Sequence, residues 1–331
     1  LIQVVQQGLL DTIQDAGRYG YQHLGINPGG AMDRIALAVA NSLVGNDMTE
    51  AAIELHFPAS VFLFDRDVMI ALSGADFGAT INGRPVDINR PVLVNKQTIL
   101  RFNKPISGAR CYLAIRGGLA ITRWLGSCST HLKAGAGGME GRALRKNDHL
   151  QLRQGDFASP LHAEKGVIAL PWTADVSHLY TTKERIHTLP GSQWNLLEEK
   201  ARQDFTGAAF MLSEQSDRMG FRMIGPALAT RPREEQLSAG ITRGTIQLLP
   251  NGQLIILMAD HQTTGGYARL AHVITAHMPA LSQSMPHQDI HFSMTDEKKA
   301  SALMWQQEQD LLFLQNACKL RLEEWLQQRP V

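Results

Sequence analysis

Short runs of β-forming residues, each cut off within a few positions by a turn signal, constrain this chain more than any other feature. Val61-Phe62-Leu63-Phe64, Val68-Met69-Ile70-Ala71-Leu72, Val92-Leu93-Val94 and Thr98-Ile99-Leu100 follow one another, with turn signals at Ser73-Gly74, Asn82-Gly83 and Ser107-Gly108. Tyr112-Leu113-Ala114-Ile115 adds another run before Arg116-Gly117-Gly118. Strands this short, at this spacing, predict an antiparallel barrel or sandwich. The second half repeats the style. Ile241 to Leu254 reads as a hairpin, because Asn251-Gly252 supplies the positive φ values that a tight turn needs. Leu270 to Ala276 and Ile290-His291-Phe292 read as further strands. Between the halves, Arg153 to Pro190 carries Pro160, Pro171 and Pro190 and one convincing strand, Gly166 to Leu170, and reads as a connector.

Helical periodicity occurs twice. Ile35, Val39 and Leu43 repeat every four residues, with Asp33 at the start, where a negative charge suits the helix dipole, and Gly45 at the stop. Near Thr295 a long helix begins, with Asp296 and Glu297 in its first turn. Ala300, Met304, Leu311, Leu314, Cys318, Leu322 and Trp325 fall on one stripe of it, suited to packing on a barrel or a partner protein. The expected fold is mainly β (α+β). It has an N-terminal β-rich lobe over 1–160, a connector over 161–190, a second β-barrel lobe over 191–294 and a C-terminal helix over 295–331.

Two loops carry the polar chemistry. Leu254 to Ala259, the most apolar short run, ends abruptly in Asp260-His261-Gln262-Thr263-Thr264-Gly265-Gly266-Tyr267. A buried strand opening into such a loop is a common place for chemistry, and equally an ordinary strand-to-loop corner. The glycine pair permits positive φ and close approach to the backbone. The second cluster is Gly126-Ser127-Cys128-Ser129-Thr130-His131-Leu132-Lys133 with the glycine-rich turn Gly135 to Arg142. Hydroxyls, a lysine and free backbone N–H groups suit an anion, and a surface hairpin with flexible glycines reads the same way.

Other chemistry finds no anchor. The net charge of +1 gives no field of one sign for nucleic acid or an anionic membrane. No apolar run approaches the ~20 residues that span a bilayer, and the N-terminus lacks a signal-peptide layout. Cys111, Cys128 and Cys318 are odd in number and far apart, so neither a disulfide framework nor a zinc module is expected, and a reducing cytoplasm is the simplest home. His287 and His291 would sit about 13 Å apart on a strand, too far to share a metal. No Gly-x-Ser-x-Gly elbow is present. For a covalent cysteine mechanism Cys128, near Lys133, is the one candidate.

Six motifs in order then resemble a known family. They are Asp15-x-Gly17-Arg18-x-Gly20, Gly29-Gly30-Ala31-Met32-Asp33, Ala40-Asn41-x-Leu43-Val44-Gly45-Asn46, Gly126-Ser127-x-Ser129-Thr130, Arg218-Met219-Gly220-Phe221-Arg222 and Asp260-x-Gln262-Thr263-Thr264-Gly265-Gly266-Tyr267. Over about residues 2 to 293 the chain resembles the allophanate-hydrolase-subunit-2 family, also called biotin-dependent carboxyltransferase-like, whose members include the C subunits of 5-oxoprolinases. It departs from the pattern at Asp217, where the family usually has Asn.

The resemblance implies cyclophilin-like barrel architecture in a stand-alone subunit. Its implied partners are a second cyclophilin-like protein, the B-type 5-oxoprolinase subunit, and a separate A-type one. Together such subunits open the lactam of 5-oxoproline to glutamate with ATP, with Mg²⁺ expected and biotin not. A carboxyltransferase moving a carboxyl group from carboxybiotin to a urea-like substrate is the alternative, as is a regulatory binding role without catalysis.

For the site, the resemblance implies that Ser127, Ser129, Thr130 and Lys133 bind phosphate or substrate carboxylate. Asp260, Thr263, Thr264 and Gly265 would line the reacting centre, with Asp33 and Asn27 facing it. Gly30, Arg218, Gln247, Asn251, Gly266 and Tyr267 complete the expected substrate and ATP contacts. Asp260 would either hold Mg²⁺ or orient the lactam N–H.

Overall fold

The computed structural model describes residues 1–153, 166–180, 185–231 and 237–328. The expected lobe boundary at 160/161 and most of the charged stretch Arg231 to Glu235 lie outside these residues. The chain divides into two compact units. The first comprises Leu1–Gly17, Asp33–Leu179 and Gln309–Val331; the second comprises Arg18–Met32 and Tyr180–Glu308.

The first unit is built from two six-stranded antiparallel sheets. One runs, in spatial order, His149–Leu150, Ile2–Gln6, Val61–Phe64, Thr98–Phe102, Ala79–Ile81 and Arg84–Pro85. The other runs Val167–Ala169, Pro91–Val94, Val68–Asp76, Ser107–Ile115, Ala52–Leu55 and Thr12–Gln14. Alternation along each strand sends one set of side chains inward, and the two sets form one core. Ile2, Val4, Phe62, Phe64 and Leu100 from one sheet join Ile13, Ile53, Ile70, Leu72 and Leu113 from the other. Helix α1 (Arg34–Leu43) starts where its sequence predicts, because Asp33 is its N-cap: the carboxylate accepts from the Ala36 N–H at 3.0 Å. The backbone N–H of Asp33 donates to the Tyr112 hydroxyl at 2.8 Å, which donates in turn to Glu54 at 2.6 Å, all three residues being buried.

Asp11 adds a titrating group to this unit. It accepts the backbone N–H groups of His56 at 2.9 Å and Ser60 at 2.6 Å. Burial nevertheless outweighs those bonds and pushes its carboxyl up from 3.8 to about 6. A carboxyl whose folded value lies above its unfolded one favours the native state below the unfolded value, and that advantage disappears as pH rises through the folded one. The native state should therefore lose about 3 kcal/mol of stability from this residue between pH 4 and pH 6. Urea denaturation across that range should show a shallower pH slope in Asp11→Asn; an unchanged slope would contradict the assignment.

The second unit is a closed seven-stranded barrel. Its order is Ile186–Pro190, Ala268–Val273, Thr245–Leu248, Leu254–Leu257, Gly220–Ile224, Ala209–Leu212 and Asp289–Met294, and a parallel pairing of the last strand with the first closes it. The Asn251-Gly252 hairpin forms, but only Gly252 adopts positive φ, at +80°; Asn251 instead uses its side chain, which accepts from the Gln253 N–H at 3.1 Å. The run expected from Leu270 to Ala276 is strand only to Val273, and Thr275–His277 is a 3-10 turn. Helix α2 (Glu199–Gly207) packs on the barrel core through Phe205, whose ring stacks on Phe292 at 5.0 Å. A short helix α3 (Met278–Ser282) precedes the last strand, and helix α4 (Glu297–Gln327) ends the described chain. Asp296 accepts the Lys299 N–H at 2.7 Å at the start of α4. Among the described residues no helix is long and apolar enough to cross a membrane.

Candidate functional site

The polar loop that follows Leu254–Leu257 is positioned by backbone pairing. Gly220–Ile224 pairs antiparallel with that strand, and the ladder runs on past its end: Met258 N–H donates to the Met219 carbonyl at 2.9 Å and Asp260 N–H to the Arg218 carbonyl at 2.8 Å. The pairing sets the side chains of Arg218 and Asp260 side by side in the barrel unit. The guanidinium donates from Nε to Asp260 Oδ2 at 2.8 Å and from Nη2 to Oδ1 at 3.1 Å, a bidentate pair with both residues buried. The same Nη2 donates to the Gly30 carbonyl at 2.7 Å and so ties the first glycine loop to the pair.

That loop, Arg18–Met32, belongs to the barrel unit. Gly29 and Gly30 have φ +59° and +87°, which side-chain-bearing residues rarely adopt. Gly29 is also closely hemmed: a Cβ there would lie 3.0 Å from Arg18 Nη1 and 3.6 Å from Asp260 Oδ1. The Arg18 guanidinium and the Arg218–Asp260 pair thus both lie close to Gly29. Asn27 is buried on the same loop, and its Oδ1 has no hydrogen-bond partner among the described residues. Behind the loop His261 is buried, and its Nδ1–H donates to the Gln262 carbonyl at 2.5 Å. Burial holds its imidazole below the usual range, so it is neutral at pH 7.

Further along, Thr264–Gly265 pairs with Ala239–Gly240, and Ile241 N–H donates to the Thr263 carbonyl at 3.1 Å. Gly265 and Gly266 do not adopt positive φ. Close approach is what Gly265 serves: a Cβ there would lie 2.9 Å from Gln247 Nε2. Gln247 is buried, and that amide nitrogen has no hydrogen-bond partner among the described residues. Thr263 is half-buried, while Thr264, Gly266 and Tyr267 are exposed. The barrel unit thus brings together Asn27, Gly30, Arg218, Asp260 and the loop from Thr263 to Tyr267, with Gln247 against Gly265. Asn251 lies at the hairpin tip, at the opposite end of the Leu254–Leu257 strand from Asp260. Asp217 turns its exposed carboxylate to the N–H groups of Met219 at 2.8 Å and Gly220 at 3.1 Å. An asparagine oxygen accepts the same two bonds, so the departure at this position leaves the turn intact.

The second polar cluster lies in the other unit and has a different role. Ser127, Ser129 and Thr130 are fully buried, and the two serines turn to a carboxylate of the chain's own, Asp15. Asp15 accepts from Ser127 Oγ at 2.7 Å, Ser129 Oγ at 2.5 Å, Cys128 N–H at 2.5 Å and Gly17 N–H at 2.8 Å. Thr130 Oγ1 donates to the Ile13 carbonyl at 3.0 Å. The concavity read from sequence as a cradle for an external anion is filled from within, and Lys133 stands exposed nearby in sequence. Asp33, in this unit, uses its carboxylate to cap α1.

Burial, reinforced by Asp15, raises the Cys128 thiol, which removes the physical basis for reading it as a low-pKa nucleophile. Among the described residues no group of three or more His, Cys, Asp or Glu side chains is placed to hold a metal ion. Arg218 balances the Asp260 charge, and among the described residues Asp260 belongs to no group of three or more carboxylate, imidazole or thiol ligands, so it does not fit the Mg²⁺ role open to it from sequence.

Sequence reasoning named Arg218 but not its partnership with Asp260, and it missed Arg18 beside Gly29. Both arginines stand in glycine-bearing polar stretches, Arg18-x-Gly20 and Arg218-Met219-Gly220, a pattern that hints at a guanidinium held against backbone.

Residues 24–294 match the model of the carboxyltransferase domain, subdomain A and B. The chain is 36% identical over 323 residues to the 5-oxoprolinase C subunit of Escherichia coli (strain K12), covering 98% of this chain and 100% of that one. It is 35% identical over 292 residues to the protein of the same name from Haemophilus influenzae, covering 88% and 90% of the two chains. Among solved structures, K. lactis urea amidolyase superposes with a TM-score of 0.86 at 28% identity over 95% of this chain, which spans 20% of that much longer one. By fold and by end-to-end similarity, the chain belongs to the carboxyltransferase subdomain A and B family, that of the 5-oxoprolinase C subunits.

Proposed function

We propose that this chain is the C subunit of an ATP-dependent 5-oxoprolinase, which opens the lactam of 5-oxoproline to glutamate. The observation that carries the reading is the match along the full length of a 5-oxoprolinase C subunit, 98% of one chain on 100% of the other. The geometry of the barrel unit is consistent with it. A lactam carbonyl is a poor electrophile because amide resonance feeds it. In the proposed reaction the γ-phosphoryl group of ATP passes to the carbonyl oxygen and ADP leaves. Water then adds to the carbon, the C–N bond breaks with a proton taken up by nitrogen, and a second water releases phosphate from the acyl phosphate. Such a sequence needs positioning and charge neutralisation more than covalent help.

In this reading Arg18 and Arg218 supply positive charge for the substrate carboxylate beside Gly29 and Gly30. Asp260, held in place by its two bonds from Arg218, orients the lactam N–H. The loop from Thr263 to Tyr267 forms a wall, with Gln247 behind it. The substrate-facing set excludes Ser127, Ser129 and Thr130, whose bonds are spent on Asp15 and Ile13. ATP enters as co-substrate of the assembled enzyme, with the B-type and A-type subunits as partners in the cytoplasm, and no biotin is needed.

Likeness to urea amidolyase favours a second reading, carboxyl transfer from carboxybiotin to a urea-like molecule. The two are separated by reconstituting the chain with its co-purifying partners and following product. Glutamate formed from 5-oxoproline is expected; carboxybiotin-dependent carboxylation of urea, with no glutamate, would replace the first reading by the second.

A further inference from the structure

Helix α4 has two apolar faces, and the first unit covers one of them. Leu314, Cys318, Leu322 and Trp325 are buried, with Leu322 pressed against Gly45. On the other face Trp305, Leu312, Phe313 and Leu320 are 59%, 44%, 78% and 61% exposed. At 3.6 residues per turn these four fall in a sector roughly 100° wide, centred roughly opposite the buried row. Single exposed apolar residues are ordinary, but four in one row on a helix mark an interaction surface.

The row is self-complementary. Trp305 and Leu312 are seven positions apart, as are Phe313 and Leu320, so the pattern reads alike from either end. A second α4 laid antiparallel about the midpoint of Leu312 and Phe313 sets Trp305 against Leu320, Leu312 against Phe313 and Gln309 against Asn316. Charge favours the same direction. Glu308 and Lys319 are exposed and flank the row on the same side. In the antiparallel arrangement Glu308 of one copy lies within roughly 3 Å along the axis of Lys319 of the other. A parallel two-fold pairing would instead put the Glu308 and Lys319 flank of one copy on the opposite side of the seam from that of the other, so that neither meets its counterpart or gains an opposite charge.

We propose that α4 pairs antiparallel with α4 of a second copy of this chain, about a two-fold axis near Leu312 and Phe313. Such an interface is isologous: each contact occurs twice. The four side chains offer on the order of 500 Å² of apolar surface per copy. Doubled and with its polar flanks added, that approaches the ~1,200 Å² at which specific interfaces begin.

Sedimentation equilibrium of the purified full chain at micromolar concentration tests this. The wild type should be dimeric, and Phe313→Glu should be monomeric with an unchanged thermal melt. Lys319→Glu should weaken the dimer on the order of ten-fold, and adding Glu308→Lys should restore it. A monomeric wild type would overturn the proposal, as would a double charge reversal weaker than either single one. Phe313-dependent binding of a different protein, with no self-association, would assign the face to that protein instead and equally overturn it. None of these readouts depends on catalysis, so the outcome stands apart from the 5-oxoprolinase reading.

Discussion

Replacing Asp260 by Ala should destabilise the barrel unit by about 3–5 kcal/mol and abolish turnover of the assembled enzyme. The stability loss follows from burial. Arg218 would keep its charge while losing both carboxylate contacts, at 2.8 and 3.1 Å, in a buried position where solvent compensates poorly. Arg218→Met should be comparably harmful, since it leaves Asp260 buried without its counter-ion. Removing both charges together is a different matter. The double variant Arg218→Met/Asp260→Leu fills the same space with apolar atoms and should recover most of the loss, with a coupling energy of roughly 2 kcal/mol or more. Chemical denaturation of the four proteins gives that coupling directly.

Activity then separates architecture from chemistry. If Asp260 orients the lactam, the refolded and reassembled double variant should remain at least ~100-fold below wild type in turnover, a deficit of about 3 kcal/mol in the transition state. Wild-type turnover in a stable double variant would reduce the pair to scaffold. Additive single-variant losses with no coupling would contradict the pairing itself.

The second large effect is expected at Asp15. Four donors converge on its carboxylate: the Ser127 and Ser129 hydroxyls and the N–H groups of Cys128 and Gly17. Asp15→Ala would leave buried donors without an acceptor, at about 1–3 kcal/mol for each that stays unsatisfied. Because water can enter the small void and the loop can relax, the expected total is about 4 kcal/mol. Asp15→Asn should recover little, since its amide N–H groups would face other donors.

The serines discriminate between a structural cluster and a substrate cradle. Ser127→Ala and Ser129→Ala should each lower stability by about 1–2 kcal/mol and leave KM for 5-oxoproline and for ATP unchanged in the assembled enzyme. A raised KM with an unmoved melt would instead give these hydroxyls to substrate.

Much of the architecture could be read from local pattern, because its causes are local. Asn251-Gly252 dictates its hairpin through backbone sterics, Asp33 caps α1 through a bond three residues long, and the row from Leu314 to Trp325 declares a buried helical face. What stayed illegible depends on distant partners. The strands Ile186–Pro190 and Asp289–Met294 close the barrel by a parallel pairing across roughly a hundred residues, which no short window encodes. The cluster from Ser127 to Thr130 has the composition of an anion site and is one, but its anion is Asp15, on another strand's end. Composition shows what a loop can bind and not whether the fold already supplies it. Helix α2 was hidden differently: Ala201 and Phe205 have helical spacing, but charged neighbours mask so short a pattern. The second apolar row of α4 was equally present in the sequence, and only the burial of its opposite face shows that Trp305, Leu312, Phe313 and Leu320 are left over.

The Asp260 loop was legible as a strand-end loop and as a family motif, whereas its electrostatics were not. Sequence left Asp260 open as a metal ligand; the bidentate contact with Arg218 balances its charge and leaves each oxygen a second lone pair for a neutral N–H donor. The central claim is that this barrel unit helps present 5-oxoproline for ATP-driven ring opening. It is tested most directly by measuring ATP hydrolysis in the complex assembled from this chain and its partners, with and without 5-oxoproline. The account predicts hydrolysis that rises with 5-oxoproline, matches glutamate release and is lost with Asp260→Asn; ATP hydrolysis indifferent to 5-oxoproline would contradict it.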